Sequence, residues 1–367
     1  MSEGGFLSLY LYPHTTRRVA TYKITIRAKS ELLVGGGSLE QATTPFDIPA
    51  AKMPWGDSFI PYIPGSTVKG FLRAAVEEYL RARAREENLS APLAEVLKNI
   101  EGEMIDDELV EKVVVKLLQQ FVSSDVVSTR EIRNASGRTL YEKTVKAYKN
   151  AKVDVGRLLE EIHVTPYACA AVVEGLACEL PIRPYKLAYL RAMYDAIRQR
   201  NDLNHLPYPC PVCLTFGAAG YSSNVVVTSA YPRGELGKDY FILTRRHVAI
   251  DRYTGAAAEG KLFEVEYVTA GTTFIGYLVV LGGSQQPAIE YPRLGELLKT
   301  QTATAQQNYI PELLIAYLQG NMKSATLGRR KSAGMGEVEV TIEKIDKDNC
   351  DNYPQPLREL CNWVNNS

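Results

Sequence analysis

From Tyr22 to Lys29 the chain alternates apolar and polar side chains, with Tyr22, Ile24, Ile26 and Ala28 set against Lys23, Thr25, Arg27 and Lys29. A period of two predicts a strand with one face in a core and the other in water. A loop rich in Gly and Pro follows from Gly35 to Ile63. Val68, Phe71, Leu72, Ala75, Val76, Tyr79 and Leu80 then fall on one face of a long helix. The pattern stays mostly helical from about Leu89 to Asn150, with Leu109, Val113, Leu117 and Phe121 at helical spacing. Pro- and Cys-containing sequence runs from Thr165 to Cys213, with a helical piece near Tyr185 to Arg198. The chain then turns to β: Val225–Val227, Tyr240–Leu243, Leu262–Val268 and Thr273–Val280 are β-branched or aromatic runs bounded by glycines. Val338, Val340 and Ile342 alternate with Glu337, Glu339, Thr341 and Glu343 in a last strand. No tandem repeat of fixed period is present.

These elements predict a mixed α/β (α+β) protein, and the 367 residues, 46% of them apolar, are enough for a substantial core. No apolar run approaches the roughly 20 residues that span a bilayer. The N-terminal residues lack a signal-peptide pattern, so a cytoplasmic location is expected, with no membrane partner. Lys plus Arg equals Asp plus Glu at 42 each, so any polyanion must be met by local rather than overall charge. Local charge is uneven. Ser128 to Arg157 holds eight bases against three acids, and Lys323 to Lys331 holds Lys323, Arg329, Arg330 and Lys331 with no acid.

Three segments carry candidate chemistry for a phosphate backbone. Ile63-Pro64-Gly65-Ser66-Thr67-Val68-Lys69-Gly70-Phe71-Leu72-Arg73 is a tight turn into the first helix. There Gly65 would let the backbone approach a ligand, Ser66 would cap the helix, and Lys69 and Arg73 would share a face near the positive end of its dipole. Arg245 to Phe263 reads as a long basic hairpin with Thr254-Gly255 at its tip and Arg246 and Arg252 on its arms. Leu327 to Gly336 combines four residues of glycine and Met with Arg329, Arg330 and Lys331 directly before the last strand, a pattern suited to phosphate binding by backbone N–H groups and charge together. Gly65 to Gly70 lacks the Gly-Lys-Ser/Thr ending of a P-loop. The plainer alternatives are an ordinary helix start, an exposed hairpin and a solvated basic face.

The chain has six cysteines and four histidines, and Cys210-Pro211-Val212-Cys213 lies close after His205. His163, Cys169 and Cys178 lie upstream. Thiolate and imidazole at such spacing suit a closed tetrahedral Zn²⁺ site, with His205, Cys210 and Cys213 as ligands and Cys178 or Cys169 as the fourth. Unligated core cysteines are the alternative. A zinc deaminase would also need His-x-Glu, and none of His14, His163, His205 or His247 has Glu two residues later.

Taken in order, Ile63 to Gly70, Leu214 to Gly217, Ile250 to Ala257 and Gly328 to Gly336 resemble the RAMP superfamily of CRISPR-associated proteins. The resemblance is nearest to the repeated backbone subunit of type III (Csm/Cmr) effector complexes. It implies one elaborated domain over 1–367, with a modified RRM/ferredoxin-like core. It also implies a helical insertion at 89–164, a zinc-stapled Cys/His insertion at 165–217 and a thumb-like hairpin at 244–265. The implied partners are CRISPR RNA, complementary target RNA, other RAMP subunits and the large subunit. RNA would be gripped by Ser66, Lys69, Arg73, Arg246, Arg252, Arg329, Arg330 and Lys331. The resemblance further implies cleavage of target RNA, with Mg²⁺ or Mn²⁺, by an aspartate in the loop after the first strand. Asp47 is the best match and Asp57 the second. A non-catalytic scaffold and a guide-processing endoribonuclease are the alternatives within the same superfamily.

Overall fold

The computed structural model describes residues 16–35, 48–99, 114–115, 118–119, 127–149, 153–165, 167–169, 210–218, 222–250, 253–283, 294–298 and 309–366. The chain divides into two compact units. One is formed by residues 1–72, 225–283 and 315–367, the other by 73–224 and 284–314. Asp47, Cys178, His205 and Arg252 lie outside the described residues, as does the helical piece expected near 185–198. Of the expected helix around Leu109 to Phe121 only 114–115 and 118–119 are described, and both are helical.

The first unit is built on β1 (Thr16–Ala28), which pairs antiparallel with β10 (Thr273–Gly283) on one edge and β12 (Glu337–Ile345) on the other. Lys23 stands opposite Tyr277, and Ile24 opposite Ile342. Tyr22, Ile24, Ile26 and Ala28 are buried while Lys23, Thr25 and Arg27 are not, as the alternation predicts. β11 (Ser324–Thr326) extends the sheet beyond β12; β6 (Val225–Val227) and β7 (Tyr231–Pro232) both pair with β10. Helix α1 (Gly65–Glu86) falls between β1 and β6 in the chain, and α8 (Ile310–Asn321) between β10 and β12. The main order β12-β1-β10-β6 is therefore that of a βαββαβ, ferredoxin-like sheet. A short hairpin, β2 (Lys52–Trp55) and β3 (Ser58–Pro61), precedes α1, and a long one, β8 (Ile242–Ile250) and β9 (Ala257–Val268), lies between β7 and β10.

In the second unit, two-residue strands β4 (Ala91–Pro92) and β5 (His163–Val164) pair, and short helices lie between them: α2 (Leu93–Asn99), α3 (Thr129–Asn134), α4 (Leu140–Ala147) and α5 (Val155–Glu161). The described residues of the basic segment from Ser128 to Arg157 thus lie in and beside α3 to α5. Each of these has a side-chain cap: Ser128 in a capping box with Glu131, Thr139 accepting from Glu142 N–H, and Asp154 accepting from Arg157 N–H. Helices α6 (Pro211–Phe216) and α7 (Leu294–Leu298) also belong to this unit, as does α1 from Arg73 onward. Among the described residues no helix is long and apolar enough to cross a membrane.

C-terminal helix α9 (Leu357–Asn366) buries Leu357, Cys361 and Val364 against Ile275 and Tyr277, and a disulfide joins Cys361 to Cys350. Beside this cluster Asp348 accepts hydrogen bonds from Lys23 Nζ (3.1 Å), Tyr277 OH (2.7 Å) and Tyr353 OH (3.0 Å). Burial alone would push the Asp348 carboxyl up, but the bonds from Tyr277 and Lys23 outweigh it and hold it below the usual carboxylate range. A depressed folded-state value gives stability that is present at neutral pH and is lost as pH falls through that range. We therefore expect Asp348→Asn to lower Tm at pH 7 and to flatten the acid limb of a Tm against pH profile below about pH 4. Identical profiles for the two proteins would remove this network from the acid response.

Candidate cysteine centre and basic loop surface

Three of the sequence segments meet in the first unit. Leu33, Val265, Tyr267 and Met335 form a small buried cluster, with Ile48 and Phe263 packed against it. These residues come from the stretch after β1, the long hairpin and the glycine-rich loop. The backbone reinforces the meeting. Leu32 and Val268 exchange two N–H···O bonds of 2.9 Å, Arg329 N–H donates to Leu33 O (2.8 Å), and Gly336 N–H donates to Glu31 O (2.8 Å). Gly328 has φ +87°, and a Cβ there would stand 2.3 Å from Leu33 O. The glycine thus serves contact between protein backbones. Ile48 N–H donates to Glu264 O (3.1 Å) and Ile48 O accepts from Glu266 N–H (3.0 Å), so the chain at Ile48 joins β9. Glu266, 4% exposed, fixes that exit by accepting from Ala50 N–H (3.2 Å) and pairing with Lys52 (2.7 Å).

Cations surround this cluster. Arg245 pairs with Glu31 and lies over the Tyr267 ring (5.2 Å), Arg246 pairs with Glu264 (2.7 Å), and Arg330 lies over the Phe263 ring (5.2 Å). Arg329 runs past Gly35, and Lys331 is exposed in a single 3₁₀ turn, Lys331–Ala333. His247 stacks on Phe263 at 5.6 Å, with its Nε2 buried and without a hydrogen-bond partner. Desolvation, then the neighbouring Arg330 and Arg245, hold His247 below the ordinary histidine value. The hairpin tip carries a fully exposed Tyr253. Arg329, Arg330 and Lys331 are therefore brought together with Arg245, His247 and Phe263, which sequence reasoning did not single out as site residues; Arg246, opposite Glu264 in the hairpin ladder, points to the other face of the hairpin. Asp57 is exposed in the turn joining β2 and β3.

The start of α1 differs from its sequence reading in three respects. A Cβ on Gly65 would stand 2.5 Å from Val227 O, and Gly65 N–H donates to Ser229 Oγ (3.2 Å), so the close approach is to β6 and the turn after it. Ser66 lies exposed inside the first turn, not at the cap, because Pro64 O already accepts from Thr67 and Val68 N–H. Lys69 is half-buried one turn further on. Arg73 is engaged within the protein: its guanidinium donates to Gly217 O (2.7 Å), Cys213 Sγ (3.1 Å) and Glu77 Oε1 (2.8 Å).

Those contacts lead to the cysteine centre of the second unit. Cys210 stands at the N-cap of α6, Pro211 opens the helix, and Cys213 follows in its first turn. Cys169 Sγ lies 3.7 Å from Cys210 Sγ and 3.3 Å from Cys213 Sγ, and all three side chains are buried. Their sulfurs lie within 4.8 Å of one another. Thiolates about 2.3 Å from a tetrahedral ion would be spaced by roughly 3.8 Å, so the donor set fits three corners of such a site. Cys210 and Cys213 are thus brought together as expected, and Cys169, one of the two candidates for the remaining position, joins them. Cys178 and His205 lie outside the described residues.

A βαββαβ sheet whose last strand follows a glycine-rich basic loop defines a ferredoxin-like α/β protein with one strongly cationic loop surface. The chain belongs to the RAMP superfamily, whose model matches residues 25–339. No curated protein matches it. Among the solved structures that match are two at low identity. One is a chain of the cryo-EM structure of the Type III-B Cmr-beta bound to cognate target RNA, with 13% identity over 90% of this chain and 61% of that chain, at a TM-score of 0.36. The other is in a Type IV-B CRISPR Complex, with 13% identity over 94% of this chain and 98% of that one, also at 0.36. Likeness at this level carries no argument.

Replacing Cys210 and Cys213 together with Ser is expected to lower bound metal and Tm in parallel, read by elemental analysis and thermal unfolding. Metal-free wild-type protein, purified without chelator, would end the metal reading of this cluster.

Proposed function

We propose that this chain is an RNA-binding subunit of a CRISPR-associated ribonucleoprotein. In this reading it grips the guide at the base of its long hairpin, carries a structural zinc at Cys169, Cys210 and Cys213, and cuts complementary RNA through Asp47. The observation that carries the reading is the convergence of three segments, 31–35, 242–268 and 327–336, on one small apolar cluster flanked by Arg245, Arg329 and Arg330. Single-stranded RNA is held by such local combinations of cations and ring faces, which a chain of zero net charge can supply. Other RAMP subunits and a large subunit are the protein partners of this reading. Arg252 of the hairpin and Ser66 and Lys69 of α1 extend the proposed RNA surface.

Asp47 directly precedes Ile48, whose backbone is bonded to β9 at the hairpin base, and this supports a role for Asp47 beside the bound RNA. A carboxylate there would help the target's 2′-hydroxyl attack the adjacent phosphorus. The bond from phosphorus to the 5′-oxygen then breaks, leaving a 2′,3′-cyclic phosphate and a 5′-hydroxyl. Mg²⁺ or Mn²⁺ would supply charge for the leaving oxygen.

Replacing Arg329, Arg330 and Lys331 with Ala is expected to weaken guide-RNA binding and to make the log–log salt dependence shallower by about 2, one contact to single-stranded phosphate being worth about 0.7. Unchanged affinity and slope would remove the loop from the RNA surface. In the reconstituted complex with Mg²⁺ or Mn²⁺, Asp47→Ala is expected to abolish cutting of a labelled complementary RNA while target binding stays equal. Cutting that persists unchanged would make this chain a scaffold and assign cleavage elsewhere.

A further inference from the structure

The geometry points to Arg73 as a positioning residue of the cysteine centre, one that holds the sulfur of Cys213 toward a bound metal and so sets how tightly the metal is kept. This inference rests on the reading of that centre as a metal site. Arg73, Glu77 and Arg81 follow one another at intervals of four in α1, which puts them on one stripe of the helix. The stripe runs along the cysteine centre. Arg73 donates to Cys213 Sγ at 3.1 Å and to Gly217 O, the C-cap of α6, at 2.7 Å, so its planar fork holds both the ligand and the end of the helix that bears it. Arg81 Nε donates to Cys169 O at 2.8 Å, fixing the backbone of a second ligand. Glu77, 6% exposed, lies between the two guanidinium groups, 2.8 Å from Arg73 and 3.5 Å from Arg81.

The chemistry gives this arrangement a purpose. A divalent ion held by three thiolates leaves one excess negative charge in a buried site, and a guanidinium on one of the sulfurs offsets it. Groups that hydrogen-bond metal ligands orient them and typically change metal affinity 10- to 100-fold when removed. A lysine would bring charge but only a point donor, and could not reproduce the three-way contact to Cys213 Sγ, Gly217 O and Glu77 Oε1. Arg73 is thus committed to the protein interior and has no N–H left on Nε for a phosphate.

The test uses the full-length protein purified without chelator. Metal content of the wild type comes first, and its absence overturns the metal reading itself, and this inference with it. With metal present, Arg73→Met is expected to lose zinc to a chromogenic chelator about 10- to 100-fold more readily. It should also shift the sulfur-to-metal charge-transfer band of the Co²⁺-substituted protein, while RNA affinity and salt slope stay as in wild type. Equal zinc retention and an unchanged Co²⁺ spectrum would overturn the role of Arg73 and leave the metal reading standing. A shallower salt slope with zinc retention unchanged would do so too, and would return Arg73 to the RNA surface. Should Arg73→Met fail to fold, Arg73→Lys is measured in the same way, with a smaller loss of retention expected and wild-type retention again overturning the role.

Discussion

The first unit depends on how completely the backbone leaving β1 is committed to its neighbours. Ala28 exchanges bonds with Thr272 and Gly271, Lys29 N–H donates to Glu337 O, Leu32 pairs with Val268, Leu33 O accepts from Arg329, and Val34 O accepts from Ala51. Eight consecutive residues, 28–35, thereby join β9, the start of β10, the entry to β12 and residues 50–51. Buried backbone groups must be paired, so this stretch leaves those segments little freedom in register. The segments that carry the cations of the loop surface are positioned by that backbone, and ion pairs and ring contacts then orient the side chains. Gly328 shows the dependence: its missing Cβ is what lets Leu33 O approach.

A second constraint governs α1. Its apolar residues Leu72, Val76 and Leu80 are fully buried, and the charged stripe of Arg73, Glu77 and Arg81 lies one residue further along the same turns. A carboxylate as buried as Glu77 is tolerable only when paired, and two guanidinium groups pair it. Each of those groups also satisfies a carbonyl near a cysteine ligand, Gly217 O for Arg73 and Cys169 O for Arg81. The helix therefore orders the cysteine centre through polar contacts, in addition to burying its apolar face.

How far the sequence could be read depended on the range of the interaction. Alternation in β1 and β12 is local and identified both strands, and the apolar stripe identified α1, because burial imposes its period on neighbouring residues. The hairpin, the glycine-rich loop and the Cys-x-x-Cys pair were legible for the same reason. Pairs remote in the chain leave no such trace. Lys23 with Asp348, Arg73 with Cys213 and Cys169 with Cys210 each join residues far apart in sequence, and no period connects them. Nor did spacing alone signal the disulfide between Cys350 and Cys361, since those two cysteines resemble any others in composition. Gly65 and Arg73 both have protein partners that their sequence context did not announce. A glycine or arginine suited to a ligand is equally suited to a protein carbonyl, and the sequence does not say which is nearer.

Under the proposed function, the loop surface reconciles zero net charge with a polyanionic ligand. Arg245 and Arg246 are held by Glu31 and Glu264 in exposed ion pairs, while Arg330 and His247 rest on Phe263. Exposed pairs of this kind contribute about 0–1 kcal/mol each, so a phosphate that takes over a guanidinium displaces little. The acids keep the free surface from repelling itself and fix the guanidinium groups near where a backbone would lie. Under the proposed function, part of the binding is then an exchange of carboxylate for phosphate at Arg245 and Arg246. Arg329 and Lys331, exposed on the glycine-rich loop, are left to supply the larger share of the salt dependence.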